Sequence, residues 1–437
     1  MFRDDILNSL FDVFEKHDCY LVGGYLRNYF MNNSISSDRD IVVSNDAFLL
    51  AKEIEEKTGG TFVELDCENE IYRVVMPDKV NYFDISRMLN DDISADAKRR
   101  DFTINAIFYN LNKKEIFDPL SGIDDIKNKA LKTPDINNMT DDPLRMLRLY
   151  RFMSLTGFNP DNKLEEFCKK NFNLVLNCAP ERIKSEIVHI FEGKYLIETL
   201  EKMFQEGVLE IIFPFVKEIK RIPPNTHHHL DLVHHSIETV KNIRTNKPLL
   251  KIAAFYHDIG KPKTWTIENT GRHRFIGHDT LGGELVREEL KNLKFSTKEI
   301  NYISKMVRYH IYPAALVQND DTQKAFIRFV RKIGEDAPDL IELSRADRLS
   351  ARGRDVSDEM VNNALSHLEN LLNFYNKVSN EVKSPKSLLN GREIMELLNL
   401  KPSPKIGGII DSLIEEQMAG NIKTKEDAIE FVKQKNI

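Results

Sequence analysis

The order of features in residues 20–43 constrains this chain more than any other stretch: Tyr-Leu-Val-Gly-Gly-Tyr-Leu-Arg-Asn-Tyr-Phe-Met-Asn-Asn-Ser-Ile-Ser-Ser-Asp-Arg-Asp-Ile-Val-Val. The apolar run at Cys19–Val22 predicts a short buried strand, Gly23-Gly24 a turn, and Tyr25 to Met31 a helix. Amides at the start of that helix make a cradle for an anionic phosphate, and Arg27 falls in its first turn. Asp38 and Asp40 then flank Arg39 at the head of a second strand, Ile41 to Val43. The two-residue period of a strand puts both carboxylates on one face. Paired carboxylates suit Mg2+, a hard cation that prefers oxygen ligands. Metal ions about 3.5–4 Å apart can activate an attacking hydroxyl while neutralising a leaving pyrophosphate. Each piece alone has an ordinary reading, Gly-Gly as a tight turn and Asp-x-Asp as a cap or a solvated loop. Strand, Gly-Gly, helix with arginine and carboxylate pair in this order favour nucleotidyl transfer.

A chain of 437 residues holds two to four domains and a sizeable core. Charged residues at 30% and hydrophobic residues at 41% are those of a soluble globular protein, and no apolar run approaches a membrane span. The start, Met-Phe-Arg-Asp-Asp, carries acid where a signal peptide needs basic charge, so a cytoplasmic location is expected. Cys19, Cys67, Cys168 and Cys178 form no Cys-x-x-Cys pair, which argues against a zinc ribbon or a disulfide framework. A net charge of -6 disfavours indiscriminate binding to polyanions but leaves room for a local basic face.

Along the first half, residues 2–16 carry an apolar helical stripe (Phe2, Ile6, Leu7, Leu10, Phe11, Phe14). A helix is expected from Ala47 to Lys57 and strands at Thr61 to Leu65, Ile71 to Met76 and Val80 to Ile85, giving an α/β palm. Asp84, expected at the end of the last strand, is either a third metal carboxylate or a turn residue. In Arg99-Arg100-Asp101-Phe102-Thr103-Ile104-Asn105, one reading caps a helix from Thr103 to Tyr109 with Asp101 and leaves the arginines in solvent. The other gives Arg100 a phosphate, Asp101 a ribose hydroxyl and Asn105 the triphosphate. Residues 141–152 predict a helix with Pro143 in its first turn and Arg145, Arg148 and Arg151 in a slanting row. Asp142, an acceptor three residues before the planar donor Arg145, makes a pair able to read the Watson–Crick edge of a base.

With these motifs assembled, followed by Pro180-Glu181-Arg182-Ile183, the chain resembles the class II tRNA nucleotidyltransferases, the CCA-adding enzymes and their bacterial poly(A) polymerase relatives. The resemblance covers roughly the first 190 residues. It implies an α+β fold: a polymerase-β-like palm at 1–137 and a helical neck at 138–207, then an HD body at 208–385 and a helical tail at 386–437. It implies that Asp38 and Asp40 hold Mg2+. Gly23, Gly24, Arg27, Arg100, Asp142, Arg145, Arg148 and Arg151 would bind CTP or ATP, Asp101 and Asn105 its ribose and phosphates, and Glu181 and Arg182 would organise the neck. The partners implied are tRNA, CTP and ATP, with no membrane; the oligomeric state is left open. Two departures stand out: Asp141 where the family usually has Glu, and a connection of only fourteen residues between Asp84 and Arg99. A short connection resembles the CC-adding branch.

The second half holds five histidines within residues 227–235, then His257-Asp258 at the end of the apolar run Leu249 to Tyr256, then His278, His310 and Asp347. Histidine and aspartate meeting at a helix end suggest a helical metal cage. The pattern resembles the HD phosphohydrolases, which implies that His235, His257, Asp258 and Asp347 bind a divalent transition metal. His234 is an alternative first ligand, and His278 and His310 remain for a second ion or a phosphate. The alternative is an HD-like scaffold that only supports RNA. The tail, with Pro402-Ser403-Pro404 and Gly407-Gly408, either touches a tRNA backbone or caps the HD helices. The expected activity is addition of C, C and A to tRNA 3′ ends. The rivals are CC addition alone, poly(A) polymerisation, an HD phosphohydrolase with a degenerate head, and a non-catalytic RNA-binding protein.

Overall fold

The computed structural model describes residues 4–223, 230–316, 322–353, 356–382 and 386–434. The chain divides into two compact units, Met1–Ile212 and Phe213–Ile437. His227, His228 and His229 lie outside the described residues.

The first unit is built on a seven-stranded mixed sheet of β1 (Cys19–Val22), β2 (Asp38–Val43), β3 (Thr61–Asp66), β4 (Ile71–Val75), β5 (Tyr82–Arg87), β6 (Phe108–Asn110) and β7 (Ile116–Phe117), in the order β3-β4-β5-β2-β1-β6-β7. All neighbours are antiparallel except β2 and β5. Helix α1 (Gly24–Asn32) follows the Gly-Gly turn, α2 (Ala47–Thr58) follows β2, and α3 (Ile93–Lys98) closes the connection after β5. Helices α4 (Leu144–Thr156) and α5 (Pro180–Glu192) pack against each other in the same unit. Leu144, Leu147 and Leu149 of α4 are buried, as the spacing requires, and Gly157 ends the helix at φ 71°.

Three local expectations change. The stripe at residues 2–16 is two short helices, Asp5–Ser9 and Phe11–Phe14, broken at Leu10, and the break lets Leu7, Leu10, Val13 and Phe14 all be buried. The last palm strand starts at Tyr82, because the Asp78 carboxylate accepts from the amides of Val80 and Asn81 and holds them in a turn. Asp84 therefore sits mid-strand. No helix spans Thr103 to Tyr109: a single 3₁₀ turn at Thr103–Asn105 leads straight into β6, which pairs with β1.

Strand alternation places Asp38 and Asp40 on one face of β2 and Arg39 on the other, where it is 2% exposed. Arg39 donates to Asp4 Oδ2 through Nε (3.0 Å) and through a terminal nitrogen (2.9 Å), and its other terminal nitrogen reaches the Asn81 side chain at 2.9 Å. The Tyr25 hydroxyl donates to the same Asp4 oxygen at 2.8 Å, while Asp4 Oδ1 caps the first helix through the amides of Ile6 and Leu7. One buried carboxylate thus ties the N-terminus, α1 and β2 together from behind the paired aspartates.

The second unit is helical: α6 (Leu232–Lys241), α7 (Pro248–Tyr256), α8 (His278–Asn292), α9 (Thr297–Tyr309) and α10 (Ala337–Ser350), followed by α11 (Gly391–Leu398), α12 (Pro404–Met418) and α13 (Lys425–Gln434). The last three share their own core of Leu389, Ile394, Ile406, Leu413 and Val432. No described helix is long and apolar enough to cross a membrane.

Breaking a buried pair leaves an uncompensated charge, so Asp4→Ala should destabilise the protein by about 3–5 kcal/mol. Urea unfolding followed by circular dichroism measures it, and Asp4→Ala with Arg39→Met should recover part of the loss.

Candidate active site

The parallel register sets Asp40 directly beside Asp84, and Asp38 beside Tyr82. Asp38, Asp40 and Asp84 each offer an oxygen, all within 4.8 Å of one another. Arg73, opposite Asp84 on β4, grips that carboxylate with two bonds of 2.6 and 2.7 Å. Asp84 is thereby neutralised, and Asp38 and Asp40 carry the unbalanced charge. Burial, then the charges of Asp38 and Asp84, push the Asp40 carboxyl up to about 7. Burial and Asp84 likewise raise Asp38. Asp38 Oδ1 is buried with no hydrogen-bond partner among the described residues. A divalent cation fits this donor set: it would satisfy the orphaned oxygen and remove the repulsion. Gly23 makes room for it. Its φ is +72°, and a Cβ there would lie 2.7 Å from Asp40 Oδ2.

Beside the carboxylates, α1 and α4 bring three arginines onto one ring. The guanidinium carbons of Arg27, Arg151 and Arg148 lie 4.9, 4.6 and 5.7 Å from the centroid of Phe152. Arg27 donates to Asn105 Oδ1 at 2.8 Å; burial and the nearby Arg151 lower its pKa to about 10, which leaves it charged at neutral pH. Arg151 donates to the buried Glu186 of α5 at 3.1 Å. Arg148 makes two bonds to Asp101 Oδ2, of 2.9 and 2.5 Å. Asp101 Oδ1 accepts from the Phe102 amide and from Asn105. Burial opposes its charge, yet Arg148 and Asn105 hold Asp101 well below the usual carboxylate range. With four bonds its acceptor capacity is full, so a ribose hydroxyl must displace one of Arg148's contacts to reach it.

Of the fourteen residues after Asp84, the first three complete β5 and the rest fold into a 3₁₀ turn (Leu89–Asp91) and α3. Asp96 of α3 has no exposed surface and binds Arg99 at 2.6 Å and Arg100 at 2.8 Å. Asn138 donates to the carbonyls of Lys98 and Arg100, and its own carbonyl accepts from Arg145 at 3.3 Å. Asp142 accepts from Arg182 at 2.7 Å. The expected base-reading pair therefore lines one cleft with each member held by a different neighbour. Glu181 stands in the first turn of α5, where acid suits the helix dipole.

Asp40, Arg100, Asp101, Asp142, Arg145 and Arg148 line one pocket. A second pocket, sharing Asp40, Arg100, Asp101 and Arg148 with the first, adds Gly23, Gly24, Arg27, Asp38, Asn105 and Arg151. Every candidate metal or nucleotide residue of the first unit thus lines one of these two pockets, which share four residues. Sequence reasoning passed over Asp96, Asn138, Phe152 and Glu186. Only Asp96 carried a local signal, an acid three and four residues before two arginines.

In the second unit His235, His257, Asp258 and Asp347 come together, with His278 and His310 beside them. His235 is fully buried, whereas His234 faces outward and bonds Asp231 at 2.6 Å, which removes it from the cluster. Burial opposes a charge on His257, yet Asp258 and Asp347 raise it to about 10. His310 is pushed down to about 4 by burial and by His257 and His278. Nitrogen and carboxylate donors converging in a buried space fit a divalent transition metal.

Three family descriptions match in series: "Poly A polymerase head domain" at residues 19–132, "Probable RNA and SrmB- binding site of polymerase A" at 157–220, and "HD domain" at 225–352. The A-adding tRNA nucleotidyltransferase of Deinococcus radiodurans is 30% identical over 94% of this chain and 94% of its own length. The CC-adding tRNA nucleotidyltransferase of Thermus thermophilus is 27% identical over 97% of this chain and 94% of its own. The crystal structure of the Bacillus stearothermophilus CCA-adding enzyme in complex with CTP has the same fold, with a TM-score of 0.66 at 17% identity over 99% of this chain and 96% of that one. A palm with converging aspartates, an arginine-lined pocket and a full-length match at this identity settle the family: the chain belongs to the tRNA nucleotidyltransferases that carry an HD domain.

Proposed function

We propose that the chain extends the 3′ end of tRNA with C, C and A taken from CTP and ATP, choosing each base with protein side chains in place of a template strand. The observation that carries this reading is the convergence of Asp38 and Asp40 with an arginine pocket that continues to Asp142 and Arg145. Asp38 and Asp40 would hold a Mg2+ ion, whose chemistry, when bound, would be to acidify the ribose hydroxyl and neutralise charge on the leaving pyrophosphate. Arg27, Arg148 and Arg151 hold the triphosphate by charge-assisted bonds, and the Gly23-Gly24 turn presents the first amides of α1 to a phosphate oxygen. Asn105 aligns Arg27, and Asp101 aligns Arg148 and Asn105. Asp96 keeps Arg100 aimed at the cleft. Arg182 fixes one oxygen of Asp142. The other accepts the exocyclic amine of cytosine or adenine while Arg145 donates to the adjacent ring acceptor.

One observation favours a second reading, addition of A alone or of C and C alone. The connection after Asp84 is folded and anchored by Asp96, and Asn138 ties its end to the base-reading Arg145. A reader fixed in this way has little freedom to reset between a pyrimidine and a purine. In the second unit we read His235, His257, Asp258 and Asp347 as ligands of a divalent transition metal with phosphohydrolase chemistry. The cytoplasm is the proposed location, supported by four free thiols.

The deciding experiment supplies tRNA lacking its CCA end, and tRNA ending in CC, with labelled CTP and ATP separately and together, and resolves products at single-nucleotide length. Addition of C, C and A supports the main reading. A stop after two C residues, or A added only to tRNA ending in CC, supports the second.

Asp40→Asn should abolish transfer without loss of fold. Arg145→Ala should lower discrimination against UTP and GTP by roughly 10- to 100-fold, the value of one base-reading pair; unchanged selectivity would overturn that role.

A proton and a cation compete for Asp40. Because its carboxyl is raised to about 7 in the folded protein, it is protonated below that pH and free for metal above it. Mn2+ affinity of the palm should therefore fall about fivefold from pH 7 to pH 6 and level off above pH 8. Calorimetric titration of the full chain measures it, with Asp40→Asn as the reference that removes the dependence.

A further inference from the structure

Arg73 is fixed on a carboxylate of the palm triad, and stability alone accounts poorly for its being there. The side chains of Arg73 and Asp84 are 35% and 22% exposed, against 3% and 2% for Arg39 and Asp4. An ion pair this open to water adds little to folding. Its geometry is nevertheless complete. Nε holds one Asp84 oxygen at 2.6 Å and a terminal nitrogen holds the other at 2.7 Å. The guanidinium also lies over Tyr82, its central carbon 4.3 Å from the ring centroid. A planar fork seated on an aromatic face is held in direction as well as in position.

The strand register turns this pair toward the site. Directly paired residues share a face of the sheet, so Arg73 on β4, Asp84 on β5 and Asp40 on β2 form one row. Tyr82, beneath the guanidinium, is level with Asp38. Arg73 thus approaches Asp84 from the side away from Asp40 and occupies both oxygens of the carboxylate that a cation on Asp38 and Asp40 would otherwise draw in. Without the arginine, three carboxylates within 4.8 Å would act as one trianionic donor set. With it, two negative charges remain, which a divalent cation balances. The number of charged ligands is a main control on how tightly an oxygen site holds such a cation.

Nucleotidyl transfer makes a demand that binding alone does not. Each addition leaves a pyrophosphate whose oxygens share the cation, and the next nucleotide enters only after this product has gone. Resting on the reading that Asp38 and Asp40 hold the divalent cation, we propose that Arg73 is a positioning residue of the palm: it holds Asp84 off the cation, so that the site has two anionic ligands in place of three and the cation and pyrophosphate leave after each addition.

The test measures Mn2+ binding to the full chain by calorimetric titration at fixed alkaline pH, with the Asp38→Asn, Asp40→Asn chain supplying the background from the second unit. Arg73→Met should tighten palm binding at least about tenfold, the order expected when one positive charge is removed and one negative charge is uncovered a few ångströms from a divalent ion. It should also lower kcat and KM for the nucleotide together, as slower product release does, and sharpen inhibition by added pyrophosphate. Arg73→Lys, which keeps the charge and loses the fork, should tighten binding by less. Asp84→Asn added to Arg73→Met should return the affinity toward the parent value. An arginine serving the fold alone would, when removed, loosen the triad and weaken Mn2+ binding. Unchanged or weaker binding in Arg73→Met, with circular dichroism matching the parent, therefore overturns the proposal, as does tightening that persists when Asp84 is also replaced. If Arg73→Met does not fold, the lysine variant decides, and binding no tighter than the parent overturns the proposal. A parent that binds no more Mn2+ than the Asp38→Asn, Asp40→Asn chain overturns the underlying metal reading, and the role of Arg73 with it.

Discussion

The constraint on which the first unit depends is electrostatic: three carboxylates must be held within 4.8 Å of one another in a partly buried sheet. Two like charges at that distance repel by about 3 kcal/mol at an effective dielectric constant near 20. The one parallel pairing of the seven-stranded sheet, β2 with β5, creates this conflict by placing Asp40 level with Asp84. The surroundings contain it. Arg73 neutralises Asp84 from the next strand, and Arg39 anchors β2 to Asp4 from the opposite face. What stays unbalanced is Asp38 with Asp40, where a cation is wanted. The repulsion is thus partitioned, relieved wherever it would only cost stability and retained at the site.

The same partition explains what was legible in the sequence. The strand–turn–helix at Cys19–Asn32 and the paired aspartates could be read because periodicity and glycine chemistry are local. The arginines of α4 could be read because three-residue spacing is local too. The start of β5 was misplaced, since the Asp78 turn that delays it competes with the β-branched Val80 on equal terms. The helix expected from Thr103 failed because pairing of β6 with β1 overrode local preference. Glu186 and Asn138 were invisible for a different reason. Their partners lie 35 and 40 residues away, and although Glu186 shares the apolar face of α5 with Ile183 and Ile190, nothing local names the arginine it meets. Choosing His235 over His234 needed the rotation of α6, which two adjacent histidines cannot reveal.

The two units bring their carboxylate and imidazole donors together by different routes. In the palm, backbone pairing does the positioning, and the side chains are short. In the second unit, His257, His278 and His310 are aimed by Nδ1 bonds to the carbonyl three residues earlier, so these rings are fixed by the turn just before them. The first route tolerates little change in register, and the second little change in helix termini. Asn138 and Asp96 add a third device, in which the segment after β5 is tied through side chains to Arg145 and Arg100 of the pocket.

Phe152 has an implication for how this pocket can change. Arg27, Arg148 and Arg151 all stand within 5.7 Å of the centre of one phenyl ring, itself set edge-on to Phe102 at 5.3 Å. Three cations that share an abutment are not independent. Altering any one shifts the ring under the other two, so the effects of paired arginine substitutions should depart from additivity. Sequence drift in this pocket is then channelled: the arginines and the aromatic they share are free to vary only as a set.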